Sequence, residues 1–164
     1  MRNWVVSWTG AVQGPYPIGN ANAQPELKFA FPNPERGASN QTFRLIVRPD
    51  IWGNEARIRL SNVFGARPVT FGDAHAGLRL SGGALVPFSN RAITFDGNAR
   101  VTAQPGQWVE SDPVEDPDNP LLAGRKLAVS FHVVGNSGPM TWHAKGLQTC
   151  YVSAPNSGSH AADR

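Results

Sequence analysis

Two-residue alternation of apolar and polar positions is the clearest pattern in the chain. Thr42-Phe43-Arg44-Leu45-Ile46-Val47-Arg48 puts Phe43, Leu45 and Val47 on one face of an extended segment, with Arg44 and Arg48 on the other. Glu55-Ala56-Arg57-Ile58-Arg59-Leu60 alternates likewise, with Ala56, Ile58 and Leu60 facing in and Arg57 and Arg59 facing out. The turn residues Pro49 to Asn54 separate the two runs, so an antiparallel hairpin with Trp52 at its tip is expected. Lys126 to Val134 gives a third strand, with Leu127, Val129, Phe131 and Val133 on one face and Lys126, Ala128, Ser130 and His132 on the other.

Shorter candidates lie at Trp4–Thr9, Val69–Phe71, Ala74–Leu80, Ala92–Phe95, Arg100–Ala103, Trp108–Ser111, Met140–Lys145 and Gln148–Ser153. Gly82-Gly83, Asp96-Gly97-Asn98, Pro105-Gly106 and Asn136-Ser137-Gly138-Pro139 punctuate them. No amphipathic helical period intervenes. Short strands at this spacing predict an all-β fold, an antiparallel β-sandwich of jelly-roll-like form. Residues 1–153 are expected to form that domain. The segment 154–164, opening Ala154-Pro155-Asn156-Ser157-Gly158-Ser159, has the composition of a linker toward a further domain.

The 17 Gly and 14 Pro agree with a turn-rich chain. The net charge of +3 comes from 15 basic and 12 acidic residues, a mild excess with no dense basic patch, so nucleic acid is not an expected partner. No apolar run approaches the roughly 20 residues of a membrane span. Met1-Arg2-Asn3-Trp4 is not a signal-peptide start, which leaves open a cytoplasmic protein or a secreted one whose signal has been removed. The single cysteine, Cys150, excludes an internal disulfide and is expected as a small buried strand residue. No metal site and no cofactor site is expected.

Several segments resemble, in order, the N-terminal region of bacterial two-domain SGNH (GDSL-like) hydrolases. These are Trp4-Val5-Val6-Ser7-Trp8-Thr9, the strand from Thr42 to Arg48, and Arg57-Ile58-Arg59-Leu60-Ser61-Asn62-Val63-Phe64-Gly65-Ala66-Arg67-Pro68. Arg91 to Gly97, Ser111 to Val114, Leu127 to Phe131, Thr141-Trp142-His143 and Gln148 to Tyr151 follow. The resemblance implies a non-catalytic β-sandwich module joined to an SGNH domain that hydrolyses carboxylic or acetyl esters, with carbohydrate esters among the substrates considered. In that family the nucleophile lies in a Gly-Asp-Ser block beyond the module, and a later Asp-x-x-His supplies the base.

No such catalytic set can be assembled from this sequence. Gly72-Asp73-Ala74-His75 has alanine where the serine would stand, and none of the four histidines has Asp three residues before it. Gly135-Asn136-Ser137-Gly138-Pro139 fails the nucleophile-elbow pattern because Pro139 takes the last position.

The candidate contact residues are therefore arginines and aromatics. Arg44, Arg48, Arg57 and Arg59 would cluster on the outward face of the expected hairpin, solvated and partly neutralised by Glu55 or Asp50, docking acidic groups of the catalytic domain, or holding an anionic substrate. Trp4 and Trp8 share a face and are expected to pack on a sheet. Trp52, Trp142 and His143 are candidate ligand or cleft-edge contacts, Trp52 through sugar stacking or interdomain packing. Asp112, Glu115, Asp116 and Asp118 read as a solvated acidic loop. Beside the esterase-module reading stands a free-standing carbohydrate-binding module.

Overall fold

The computed structural model describes residues 3–18, 26–115, 122–143 and 146–163. The strands in chain order begin with β1 (Gln13–Tyr16), β2 (Ser39–Val47), β3 (Glu55–Ala56) and β4 (Arg59–Asn62). Next come β5 (Val69–Ser81), β6 (Ala84–Leu85), β7 (Arg91–Ala92), β8 (Arg100–Ala103) and β9 (Gln107–Glu110). The last are β10 (Val114–Glu115), β11 (Leu127–Asn136), β12 (Met140–Trp142) and β13 (Tyr151–Val152). No α-helix occurs among the described residues.

The long strands form one antiparallel sheet in the order β13-β2-β11-β5-β6, with β7 and β8 also paired to β5. Opposite its inner face lie three two-stranded ribbons, β1–β12, β3–β10 and β4–β9. The fold is thus an antiparallel β-sandwich, as the alternation predicts.

The expected hairpin does not form. β2 pairs with β11, Phe43 opposite Phe131, and with β13, whereas β3 and β4 pair with β10 and β9. Residues 48–54 carry the chain from one layer to the other, so both alternating runs face the same core from opposite sides. Alternation fixes which face is buried and leaves the pairing partner open.

The core is built on aromatic rings. Phe31, Phe43 and Phe131 stack in series at 6.1 and 5.6 Å, and Phe71 meets Phe131 edge-on at 5.5 Å. Tyr16 contacts Phe31 and the half-buried Trp142 from the ribbon side. Such ring pairs add about 0.5–1.5 kcal/mol each beyond the area they bury.

The two strands expected at Val69–Phe71 and Ala74–Leu80 are one strand, β5, interrupted by a bulge. Ser130 pairs with His75 and His132 with Gly72, so one residue of β11 faces two of β5. Asp73 takes φ 46° there, and the inward parity resets so that Phe71, Ala74 and Ala76 are all buried. Gly72-Asp73-Ala74-His75 is this bulge.

The outer face of the sheet is also covered. Thr42 is 6% exposed, Ser130 1% and His132 6%, although all three point away from the aromatic core. Buried polar groups need partners: Ser130 and His132 find theirs on β2, in Arg44 and Asn40, and Thr42 finds its own in the C-terminal segment. Thr42 Oγ1 donates to Gly158 O (3.0 Å) and accepts from the His160 amide (2.9 Å). The amides of Asn156 and Gly158 bond Ser39 O and Asn40 O, and Ala161 is fully buried. Residues 154–163, expected as a linker, run back along the sheet. Cys150, expected to be buried, is an exposed free thiol just before the edge strand β13.

Arg44 ties this layer together. Its Nε donates to Ser130 Oγ (2.8 Å), and its terminal nitrogens donate to Gly83 O and Asp163 O (both 2.6 Å). Arg44→Ala is expected to free the end of the tail. Amides of residues 156–163 should lose hydrogen-exchange protection while those of β11 keep theirs; equal loss in both would mean that Arg44 supports the whole sheet instead.

His132 gives a pH dependence. Its Nε2 meets Asn40 Oδ1 at 2.8 Å, and its Nδ1 is buried without a partner. Burial pushes its pKa down, with Asp73 opposing and Arg100 and His160 adding to the effect. The unfolded chain, with an ordinary histidine value near 6.5, therefore takes up the proton first. Stability is expected to fall as the pH drops below about 6.5 toward the depressed folded value, and His132→Gln should remove that part of the slope in urea titrations.

Candidate functional site

The expected arginine cluster divides between the two layers. Arg44 is held in the outer face of the large sheet, and Arg48 is exposed at the end of β2. Arg57 and Arg59 alone share a site, on the outward face of the β4–β9 ribbon.

The ribbon register explains that site. Arg59 pairs with Glu110 and Ser61 with Trp108, so these four side chains share the outer face while Leu60 and Asn62 are buried beneath. Glu110 receives Arg57 at 2.7 Å on one oxygen and Arg59 at 2.6 Å on the other. Those two hydrogen bonds hold its carboxyl below the usual range. The Arg57 guanidinium lies 4.8 Å from the centre of the Trp4 ring, and that of Arg59 lies 4.4 Å from Trp108. A chain of contacts results: Trp4, Arg57, Glu110, Arg59, Trp108. Planar guanidinium can take a carboxylate in its plane and an indole on its face together.

This row stays open to solvent. Trp4 is 45% exposed, Trp8 46% and Trp108 51%. The expected packing of Trp4 and Trp8 on a sheet is therefore corrected, because Trp4–Thr9 is extended but pairs with no strand. Trp8 instead meets the ring of His143 edge-on at 6.5 Å. His143, exposed, holds Ala11 O through Nδ1 (2.8 Å), so it anchors the N-terminal segment.

Trp142 lies half-buried on Tyr16, and its neighbours are core residues. Trp52 is half-buried with its Nε1 enclosed and unbonded, in the crossover between the layers and at no hairpin tip. Asp112 caps the turn at Asp96-Gly97, accepting from Thr94 Oγ1 (2.6 Å), Gly97 N (2.8 Å) and Asp96 N (3.2 Å). Glu115 is exposed on β10, while Asp116 and Asp118 fall outside the described residues.

Neither Glu110 nor the tryptophan contacts follow from proximity in sequence, which points to Asp50 and Glu55 as counter-charges. The available signal was period-two: Trp108 and Glu110 alternate in step with Arg57 and Arg59. Only the register, however, makes them neighbours.

The segment from Asn62 to Arg67 builds a turn. Asn62, 1% exposed, donates to Arg67 O (2.8 Å) and Ala103 O (3.0 Å) and accepts the Gly65 amide at its own carbonyl (3.2 Å). A side chain at Gly65 would fall 1.7 Å from Asn62 Oδ1, so glycine is required there.

A shallow depression of about 310 Å³ lies on the other side of the molecule, between His75, Leu85, Phe88, Asn90, Arg91 and Ala162 of the tail. Among the described residues, no group of three or more His, Cys, Asp or Glu side chains is placed to hold a metal ion, and no helix is long and apolar enough to cross a membrane. The sequence matches no family model and no curated protein.

Glu110→Gln is expected to cost on the order of 1 kcal/mol at pH 7 and low salt, the scale of a favourable surface ion pair. Because the folded carboxyl has a depressed pKa, its contribution is complete above the ordinary glutamate value of about 4.3. It is lost as the pH falls from there through the folded value. Urea midpoints of the two proteins should therefore converge in acid, and a gap that persists unchanged at pH 2–3 would mean that packing, not charge, is what the substitution removes.

Proposed function

We propose that this chain is a non-catalytic β-sandwich module of an SGNH-type ester hydrolase, supporting a catalytic domain and shaping access to it. The observation that carries this reading is the order of family-like segments from Trp4 to Val152, with the most specific of them building a turn and a strand of the sandwich. Residues that encode a fold rather than a reaction suit an accessory role. The Gly-Asp-Ala-His sequence fits the same reading, since it serves as a bulge in β5.

Among Arg44, Arg48, Arg57 and Arg59, the pair Arg57 and Arg59 suits docking best, because it shares an exposed face with aromatic surface. Arg44 is committed to the tail. A carboxylate of the catalytic domain is the counter-group such a face would accept.

One observation favours a second reading, a free-standing carbohydrate-binding module. Half-exposed Trp4, Trp8 and Trp108 offer indole surface beside charged hydrogen-bonding groups, the combination that stacks on and orients a sugar ring. Trp52, Trp142 and His143 are less suited, being half-buried or engaged with neighbouring backbone.

The isolated chain is expected neither to turn over p-nitrophenyl acetate nor to take up a fluorophosphonate probe at any serine. Stoichiometric labelling together with turnover would overthrow the accessory reading. Oligosaccharide binding that quenches tryptophan fluorescence and disappears in Trp108→Ala would favour the carbohydrate reading instead.

A further inference from the structure

Trp4 to Gly10 is extended and carries strand-forming residues, yet its backbone is almost unused. Among the described residues, the one backbone–backbone hydrogen bond of this stretch runs from the Asp50 amide to Ser7 O, at 2.9 Å. The Ser7 hydroxyl also bonds Ile51 O, and no backbone group of Trp4, Val5, Val6, Trp8, Thr9 or Gly10 has a hydrogen-bond partner among the described residues. The side chains are equally open, Val5 at 64% exposed and Val6 at 74%.

The segment is nonetheless held in place. Trp4 sits on Arg57, Ser7 is fastened to Asp50 and Ile51, Trp8 meets His143, and Ala11 O takes a bond from His143. An extended edge fixed at several points, with free amides and carbonyls between them, matches one kind of ligand closely: another extended backbone. Fixing the edge beforehand lowers the entropy lost when a strand adds to it.

The adjoining charges narrow the partner. Arg57 and Arg59 share the single carboxylate of Glu110, each giving it one hydrogen bond, and the guanidinium forks have further N–H donors. Nearby Asp112 acts on Arg57 through its charge alone, since its oxygens accept from Thr94, Asp96 and Gly97, so it takes up none of the guanidinium donors. We propose that Trp4–Thr9 is a docking edge to which a protein partner adds an extended strand, the strand carrying apolar side chains toward Val6 and the tryptophans and a carboxylate toward Arg57 and Arg59. The proposal does not rest on the esterase reading, since any partner with such a strand satisfies it.

The test begins with selection of phage-displayed random dodecapeptides on the purified 164-residue chain. Enriched peptides should alternate apolar residues and carry at least one Asp or Glu. The Val6 amide, on the edge opposite the one where Ser7 O meets Asp50, should exchange freely in the chain alone and become protected when a synthetic copy of such a peptide is added. Val6→Pro removes the amide from an exposed position where proline fits extended backbone, so the fold should survive while peptide affinity falls about tenfold, the scale of one or two backbone bonds. Val6→Lys, which keeps the amide but places a charge on the apolar edge, serves as the second variant should the proline disturb folding. Peptides that bind the Val6 variants as well as they bind the parent chain would overturn the proposal, as would failure to enrich an alternating acidic pattern. Protection of the Val6 amide that rises with protein concentration in the absence of peptide would also overturn it, because a second copy would then be the occupant.

Discussion

The burial of β11 on both faces is the constraint on which the rest of the molecule depends. Its inner face, Val129, Phe131 and Val133, belongs to the aromatic core, and its outer face, Ala128, Ser130 and His132, is buried as well. A strand buried on both sides in a sandwich needs a second cover. The ribbons supply one and the C-terminal segment the other. Ser130 and His132 take their hydrogen bonds from β2, through Arg44 Nε and Asn40 Oδ1, and the C-terminal cover in turn bonds β2 at Thr42 through Gly158 and His160. An apolar helix laid over the same face would take from Thr42 and Arg44 the carbonyls of Gly158 and Asp163, at a cost of about 1–3 kcal/mol for each group left unsatisfied.

The two layers are built to different standards. The large sheet is built round three strands of nine to thirteen residues, β2, β11 and β5, whereas the ribbons have only strands of two to four. Short ribbons bury their inward residues, such as Leu60 and Asn62, but leave their outward faces and the neighbouring segment open to solvent. Ion pairs and ring contacts at Glu110 take over there from ladder hydrogen bonds. The adaptable surface of the protein is therefore the ribbon side, and the stiff one is the sheet.

Much of this was legible from the residues, and the part that was not has a common cause. Alternation correctly assigns Phe43, Leu45 and Val47 inward on β2, Val129, Phe131 and Val133 inward on β11, and the all-β class. It fails on pairing, which depends on contacts distant in sequence. The turn-like run Pro49–Asn54 has the composition of a hairpin but acts as a crossover. Residues 154–163 have linker composition yet dock, because the groups they use are backbone amides and carbonyls, which every residue type has. Cys150 was expected inside because small cysteines usually are, but it precedes an edge strand of two residues. Similarly, Arg57 and Arg59 were visible as outward residues, while Glu110 became their partner only through the register of β4 against β9.

The separation of layers also bears on how a partner can be recognised without disturbing the fold. The outward ribbon face makes no contribution to the ring stack of Phe31, Phe43, Phe131 and Phe71, so side chains there can be exchanged with little effect on the core. Trp4, Arg57, Glu110, Arg59 and Trp108 form their own linked row, coupled to one another and only weakly to what lies beneath. A group brought to that row would compete with Glu110 for guanidinium donors and with solvent for the indole surfaces. Binding is then limited by how well it replaces those contacts, and the sandwich behind it serves as a fixed support. Shape and charge on the ribbon side can vary in this way while the sequence constraints on β2, β5 and β11 stay in place.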